Sequence, residues 1–310
     1  MGEKAAIGRV TVVGSLNMDL VARAPRLPKP GETLAGHAFA QVPGGKGGNQ
    51  AVAAARLGAQ VAMIGCVGND SNGATLKGSL EAEGIDCSAL ATSPDAPTGV
   101  ALIVVDDASQ NAIVIVAGSN ASVTPARIEE QQALLAQADV IVCQLETPVE
   151  TVRAALAAGR RLQRTTILNP APAARKLPPD WFPLVDYLIP NEIEAATLSG
   201  VAIEMPDDAR RAAQALKAKG ARNVIVTLGA QGVLALLDGA DEDGVHVPSP
   251  QVEAIDTTAA GDTFIGGFAA ELARGAAAMD AIAFGQRAAA VAVTREGAQP
   301  SIPRRSEISA

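Results

Sequence analysis

Short apolar runs alternate with longer Ala-rich stretches along most of the chain. The runs are rich in β-branched residues and too short for helices, which is typical of buried strands. We predict such strands at residues 10–13, 61–67, 140–142, 165–168, 187–189 and 224–228. The stretches between them have the length and composition of helices. We predict helices at residues 47–57, 73–83, 125–137, 148–162, 207–219 and 259–274.

The alternation of strands and helices predicts an α/β fold with a doubly wound, mostly parallel sheet flanked by helices. In sheets of this kind, ligands collect beyond the carboxyl ends of the strands. Polar residues that directly follow a predicted strand are therefore the first candidates for binding and catalysis.

Two segments depart from this alternation and predict a second, smaller sheet. One is residues 34–42, and the other is the pair 100–105 and 113–116, which the polar turn 106–111 joins. Both have the pattern of antiparallel strands. We predict a single domain, residues 1–310, with a lid formed by approximately residues 17–43 and 95–118. A lid would keep water away from a reactive phosphoryl group.

Composition narrows the class of protein. Hydrophobic residues make up 48% of the 310 residues and aromatic residues only 2%, so Ala, Val, Ile and Leu must form the core. A net charge of -8 without a basic run argues against a nucleic-acid partner. The apolar stretches are too short for a signal peptide or a membrane span, so we expect a cytoplasmic protein. The isolated Cys66, Cys87 and Cys143 predict reduced, structural thiols.

The strongest chemical motif is Asp-Thr-Thr-Ala-Ala-Gly-Asp-Thr-Phe at residues 256–264, between a strand-like segment, 252–255, and an apolar helix. Small residues leave the free N–H groups at the start of a helix accessible, and the helix dipole attracts anions there. An ionised Asp262 in the first turn could take the proton of a hydroxyl that attacks phosphorus. Alternatively, Asp262 only complements the dipole and Gly261 only permits a tight turn. This segment alone favours that alternative.

A second motif is Gly-Gly-Lys-Gly-Gly-Asn at residues 44–49, which opens a predicted helix. Glycines allow a ligand to approach the backbone, while Lys46 and Asn49 offer a charge and an amide to hydroxyl or phosphate oxygens. The motif is not a Walker A loop, because Gly47 stands where Ser or Thr is required. The first strand is not followed by G-x-G-x-x-G either. These departures count against a P-loop ATPase and a dinucleotide dehydrogenase.

Polar residues also follow other predicted strands. Asn17 and Asp19 follow the first strand, where they could bind vicinal sugar hydroxyls or form an ordinary Asx turn. Glu146 follows strand 140–142 and could orient a hydroxyl or face solvent.

Two further segments have equally open interpretations. Asn191 and Glu194 could hold a phosphate or a hydrated Mg²⁺, or could be a helix cap with an acidic first turn. Residues 227–232 end a strand and turn on two glycines, so they could be a plain hairpin.

Taken together, these segments resemble the ribokinase branch of the PfkB carbohydrate kinase family from about residue 10 to about residue 303. The motifs at 44–49 and 256–262 look like the two signatures of the family, in the same order. Residues 14–19, 30–33 and 169–173 look more like ribokinases than like adenosine or fructose kinases. The resemblance implies transfer of the ATP γ-phosphoryl group to the 5-hydroxyl of ribose. Fructose, 2-keto-3-deoxygluconate, deoxyribose and adenosine remain alternative substrates, and a non-catalytic sugar-binding regulator is a remote alternative.

The resemblance also implies roles for particular residues. Asp262 would be the general base, beside an anion hole formed by Ala259, Ala260 and Gly261. The sugar would contact Asn17, Asp19, Gly45, Lys46, Gly47, Gly48, Asn49, Glu146 and Asp262. ATP with Mg²⁺ would contact Asn191, Glu194, Thr227, Leu228, Gly229, Ala230, Gln231, Gly232, Gly261 and Gln286. An activating K⁺ would lie at Asp256, Thr258, Ala292, Arg295, Gly297 and Ser301. Ala230 and Gln286 stand where relatives carry other polar residues. Independently of the resemblance, the exposed edge of the predicted lid suggests a homodimer formed by lid pairing.

Overall fold

The computed structural model describes residues 7–108, 110–173, 177–239 and 243–309. Its strands form a nine-stranded main sheet and a separate four-stranded sheet. The strands are β1 Arg9–Val13, β2 Asn17–Ala24, β3 Ala38–Gly44, β4 Gln60–Gly68, β5 Leu90–Ser93, β6 Gly99–Asp106, β7 Asn111–Val116, β8 Val140–Cys143, β9 Thr165–Leu168, β10 Tyr187–Leu188, β11 Asn223–Thr227, β12 Val233–Leu236 and β13 Val245–Val247. The helices are α1 Lys46–Arg56, α2 Ser71–Ala82, α3 Pro125–Glu130, α4 Gln132–Gln137, α5 Val149–Arg161, α6 Glu192–Ser199, α7 Pro206–Ala218, α8 Ala260–Ala273 and α9 Ala278–Ala292.

The main sheet has the order β13-β12-β11-β10-β9-β8-β1-β4-β5. Pairing is parallel from β11 to β5, and the β11–β12 and β12–β13 pairs at the other edge are antiparallel. Successive residues of a strand point to opposite faces, so β1 sends Val12 to the core beneath α1 and α8 and Val13 to the core beneath α5 and α7. The doubly wound, mostly parallel sheet expected from the sequence is confirmed.

The four-stranded sheet has the order β3-β2-β6-β7, and we call it the lid. The β6–β7 pair is the predicted antiparallel pair. The central pair, β2–β6, is parallel. The strand expected at 34–42 begins at Ala38, and β2 was not predicted as a strand at all. Residue 109, in the expected turn, lies outside the described residues.

Several other expectations need correction. Residues 252–255 form no strand. The segment is exposed, the backbone N–H of Ile255 donates to the Val293 carbonyl at the end of α9, and no strand among the described residues pairs with it. The helix expected at 125–137 divides into α3 and α4 at Gln131. The short strands β5, β12 and β13 were not predicted.

The interior is built mainly from aliphatic side chains, as the composition indicated. Phe268, which is fully buried, makes one edge-to-face contact with Tyr187 at 5.1 Å and stacks on Phe264 at 6.1 Å. All three cysteines are free and buried, as expected. In the described part of the chain, no helix is both long and apolar enough to span a membrane.

Candidate active site

The candidate site lies where the carboxyl ends of β1, β8 and β9 meet the N-termini of α1 and α8. Asp262 occupies the third position of α8 and is 7% exposed. Its two carboxylate oxygens accept hydrogen bonds from Asn49 Nδ2 at 3.0 Å and Gln50 Nε2 at 2.9 Å. The carboxylate is therefore held at both oxygens by α1, more than 200 residues away in the sequence.

The glycine-rich segment brings the start of α1 onto the loop after β1. Gly45 has a φ of 83° just before the helix, a region that favours glycine. A Cβ on Gly47 would lie 2.5 Å from the Ser15 nitrogen, so no other residue fits there. Gly48 N–H donates to the Ser15 carbonyl at 2.9 Å. These glycines allow the backbone at the start of α1 to pack directly on the backbone of the loop after β1.

Glu146 follows β8 and is hydrogen-bonded to both the loop after β1 and the start of α1. Its Oε2 accepts a hydrogen bond from Ser15 Oγ at 2.6 Å and another from Lys46 N–H at 3.1 Å. Glu146 therefore faces the site rather than solvent.

The lid contributes Asn17 and Asp19, which lie two residues apart on β2 and so share a face of the strand. Asn17 is 3% exposed, and its Oδ1 accepts from Asn120 Nδ2 at 2.8 Å. Asn120 also bonds both backbone groups of Leu16. Asp19 lies directly over Gly44, where a Cβ would collide with its carboxylate. Asn120 thus leaves the Nδ2 group of Asn17 as a donor, while Asp19 offers an acceptor.

The charges of the site perturb one another. Burial raises the pKa of Asp19 to about 7, with further contributions from Glu146 and Asp262. Burial acts to lower the pKa of Lys46, but Asp262, Glu146 and Glu194 outweigh it and the net shift is upward. Lys46 therefore carries its charge among three carboxylates.

The start of α8 borders a cavity of about 340 Å³. Ala259 has a φ of 58°, a left-handed conformation that is uncommon for a residue with a Cβ. The N–H of Ala260 donates to the Thr257 carbonyl at 3.2 Å. By helix geometry, the N–H groups of Gly261 and Asp262 have no partner within the helix. They are the backbone donors that this turn offers to an anion.

Residues predicted for the nucleotide divide into two groups. Asn191, Glu194, Thr227, Gly229 and Gly261 line the 340 Å³ cavity together with Lys46, Asn169 and Asp262. The remaining candidates do not line it. These are Leu228, Ala230, Gln231, Gly232 and Gln286.

Local packing explains why the second group lies apart. Residues 227–232 are a hairpin turn between β11 and β12, so the plain-hairpin alternative describes their structure. Leu228 is buried in the core. The buried Gln286 donates to the Val247 carbonyl at 2.9 Å. A role for these residues toward ATP stays a prediction.

Asn191 and Glu194 form a capping box at the start of α6, which was the structural alternative for this pair. Both oxygens of Glu194 accept from Asn191, at 2.9 and 3.1 Å. Burial raises the pKa of Glu194, while the Asn191 N–H and Lys46 act in the opposite direction and Asp262 adds to the rise. Asn191 and Glu194 therefore both cap α6 and line the cavity.

The residues expected to hold K⁺ come from two segments that lie together. Asp256 accepts hydrogen bonds from Thr258 N–H at 2.8 Å and from Gly297 N–H at 2.9 Å. Burial acts to raise the pKa of Asp256, but these bonds lower it overall. Ala292 and Ser301 are fully buried. The Arg295 guanidinium is bonded to Glu307, so only its backbone could face an ion.

The structure adds side chains that were not predicted as site residues. Gln144 directly follows β8 and Asn169 directly follows β9, and both are linked to Asp262 through Gln50. Their place after a strand is the signal that could have found them. Asn120 lies in a short 3-10 turn after the lid and has no comparable signal.

Comparisons with known proteins identify the family of this chain. Residues 8–305 match the model of the pfkB family carbohydrate kinases. The chain is 44% identical to a ribokinase from Haemophilus influenzae over 96% of each chain. It is 39% identical to a deoxyribokinase from Salmonella typhi over 95% of each. The structure of Arabidopsis thaliana ribokinase complexed with ribose and ATP superposes with a TM-score of 0.91 at 28% identity, over 98% of each chain. This chain belongs to the pfkB family of carbohydrate kinases.

Proposed function

We propose that this chain transfers the γ-phosphoryl group of ATP to the 5-hydroxyl of D-ribose, giving ribose 5-phosphate and ADP. The observation that carries the proposal is the buried Asp262 carboxylate in the first turn of α8, which two amides of α1 hold in place. Ribokinases among the relatives support ribose as the sugar.

Asn17 and Asp19 are proposed to bind vicinal hydroxyls of the sugar. One hydroxyl would donate to the Asp19 carboxylate and accept from Asn17 Nδ2, the donor that Asn120 leaves available. Gly45, Gly47 and the other residues of the glycine-rich segment would let the sugar approach the backbone of α1. A sugar that lacks a bonded hydroxyl would leave these buried groups unpaired, which is a strong basis for discrimination.

Asp262 is proposed to act as the general base. As the sugar oxygen forms its bond to the γ-phosphorus, Asp262 would accept the hydroxyl proton, and the bond from phosphorus to the β-phosphate oxygen would break to release ADP. Charge on the transferring phosphoryl oxygens would face the N–H groups of Gly261 and Asp262 and the ammonium of Lys46.

Mg²⁺ fits the acidic wall of the cavity. Lys46 is the only basic residue among those that line the described cavity, whereas Glu192, Glu194 and Asp262 are acidic. ATP phosphates entering this wall would need a further positive charge, which Mg²⁺ supplies when it is bound to them. Because both Glu194 oxygens are occupied by Asn191, we propose that Glu194 acts on the ion through its hydration waters.

K⁺ is proposed to bind where Asp256 and Thr258 meet the segment from Ala292 to Ser301. The Asp256 carboxylate and backbone carbonyls of the two segments would provide the oxygen ligands. The hydrogen bond from Gly297 to Asp256 holds the two segments together. An ion here would stabilise the loop that leads into α8.

We also propose that the protein works in the cytoplasm as a homodimer paired through the lid, without a nucleic-acid partner. The lid exposes large apolar side chains, with Phe39 at 65%, Ile113 at 50% and Ile115 at 48%. Both outer strands of the lid, β3 and β7, have an open edge. A second lid would cover these side chains.

The test is turnover of Asp262→Asn with ribose and ATP, measured by ADP release. We expect kcat to fall at least about 100-fold while both substrates still bind, as removal of a general base predicts. Asp280→Asn is the matched control, because Asp280 occupies the same third position of α9 but is exposed. Near wild-type turnover by Asp262→Asn would overturn the assignment. Equal losses in the two variants would indicate a dipole effect alone.

A deoxyribose kinase is the second candidate, because the deoxyribokinase relative is nearly as similar as the ribokinases. A panel of ribose, 2-deoxyribose, fructose, 2-keto-3-deoxygluconate and adenosine separates the alternatives by kcat/KM. A higher kcat/KM for deoxyribose than for ribose would replace the proposed substrate.

A further inference from the structure

Gln50 is a buried polar side chain that was not among the residues predicted to bind the sugar or ATP. It lies on α1 with 1% of its surface exposed. Its Nε2 donates to Asp262 Oδ1 at 2.9 Å and to Asn169 Oδ1 at 3.2 Å, and its Oε1 accepts from Gln144 Nε2 at 2.6 Å. The amide thus uses both of its N–H groups and its carbonyl.

The partners of Gln50 allow one orientation of its amide. Asn169 donates through Nδ2 to the Ile189 carbonyl at 3.0 Å, so its Oδ1 must face Gln50 and needs a donor. The ionised Asp262 needs a donor at the same place. Rotating the Gln50 amide by half a turn would set its oxygen against two acceptors, and Gln144 opposes the rotation from the other side.

We propose that Gln50 is a positioning residue for the catalytic base, an inference that rests on the proposed function of Asp262. With Asn49 on one carboxylate oxygen and Gln50 on the other, rotation about the Cβ–Cγ bond of Asp262 is restricted. The chain Gln144–Gln50–Asp262 connects the base to the end of β8, a rigid element of the sheet.

Gln50→Leu removes both donors with little change in volume. We expect kcat to fall about 10- to 100-fold, while the KM for ribose stays within about threefold, because a misplaced reacting group affects the transition state more than sugar binding. Asn223→Leu is the control. Asn223 is also buried and bonded through both amide atoms, but it lies at the opposite end of the sheet and should leave kcat unchanged.

A double-mutant cycle separates positioning from general damage. In the Asp262→Asn background, Gln50→Leu should cause no further loss of kcat, because the base through which it acts is already absent. Losses that multiply in the double variant would overturn the proposal. So would a Gln50→Leu kcat within twofold of the wild type, or a change confined to KM.

Gln50→Glu gives a second test if the leucine variant does not fold. Glutamate keeps the acceptor for Gln144 but turns a carboxylate toward Asp262, and two adjacent carboxylates resist simultaneous ionisation. We expect the acidic limb of the kcat/KM profile to move to higher pH by about one unit or more. The other charged groups near the base, on α1, β2, α6 and the loop after β8, are Lys46, Asp19, Glu194 and Glu146, and they are the same in both proteins.

A profile that overlays the wild type would refute the positioning role. The two hypotheses fail separately. A wild-type protein that does not phosphorylate any sugar of the panel refutes the proposed function, whereas an active wild type with an unaffected Gln50→Leu variant refutes only this inference.

Discussion

The variant Asp19→Asn tests whether the buried carboxylate of the proposed sugar site lowers the free energy of unfolding. The carboxyl of Asp19 has a pKa of about 7 in the folded protein, against 3.8 for an unperturbed aspartate, because it is partly buried beside Glu146 and Asp262. A rise of this size corresponds to about 4 kcal/mol against the ionised form. Asparagine has nearly the same shape and no charge, so it removes this penalty.

The penalty depends on pH in a defined direction. Below about pH 4, Asp19 is protonated in both the folded and the unfolded chain, and it does not weaken folding. Between about pH 4 and pH 7 the unfolded chain releases the proton while the folded chain retains it, so stability falls as pH rises. Above about pH 7 the folded form also ionises and the loss is complete. Asp19→Asn should therefore be most stabilising at alkaline pH.

Urea unfolding at pH 5 and at pH 8, at one ionic strength, measures the effect. We expect the gap in unfolding free energy between Asp19→Asn and the wild type to widen by about 2–3 kcal/mol from pH 5 to pH 8. The KM for ribose should rise in the same variant, since a hydroxyl loses its charged acceptor. Asp280→Asn, an exposed control, should show no such widening. An equal gap at both pH values would refute the interpretation that the Asp19 carboxylate is buried among like charges.

The remaining predictions concern the loop, the cation site and the dimer. Gly47→Ala would place a methyl group 2.5 Å from the Ser15 nitrogen, so we expect loss of activity and folding yield. Gly78→Ala, exposed in α2 with open space around it, should raise stability by about 0.5–1 kcal/mol. Without K⁺ the kinase rate should fall, and Asp256→Ala should remove the response; a rate unchanged in K⁺-free and Na⁺-free buffer would exclude the site. Sedimentation should show a dimer that Ile115→Lys dissociates, and a monomeric wild type would contradict lid pairing.

The main sheet could be predicted because its strands are continuous apolar runs, which need only local sequence to recognise. β2 could not. The polar residues Asn17 and Asp19 have the local pattern of a turn. In the fold, Asn17 accepts a hydrogen bond from Asn120 and Asp19 packs over Gly44, and both contacts come from distant parts of the chain. The burial of these side chains depends on tertiary contacts, and no local pattern records them.

In the site, too, local sequence identifies individual residues but not the hydrogen bonds between them. Asp262, Lys46 and Glu146 could each be found from a motif or from a position after a strand. The hydrogen bonds that determine what these residues can do join Asp262 to Asn49 and Gln50. The segment alone favoured a dipole cap over a base for Asp262, and the contacts of its carboxylate distinguish it from Asp280 on α9.

The acidic side chain of Asp19 lowers the stability of the ligand-free protein and serves ligand binding instead. Glu146, Glu194 and Asp262 act on the single ammonium of Lys46, and Asp19 adds a fourth carboxyl beside Glu146 and Asp262, so the site contains more acidic groups than Lys46 can balance. Removing the Asp19 carboxylate would relieve repulsion and should stabilise the fold. The presence of Asp19 is therefore explained by the ligands rather than by the fold: a sugar hydroxyl satisfies the carboxylate acceptor, and the cations that accompany ATP supply positive charge. On this reasoning ribose and Mg-ATP should each raise the unfolding temperature most at alkaline pH, where the empty site is least stable.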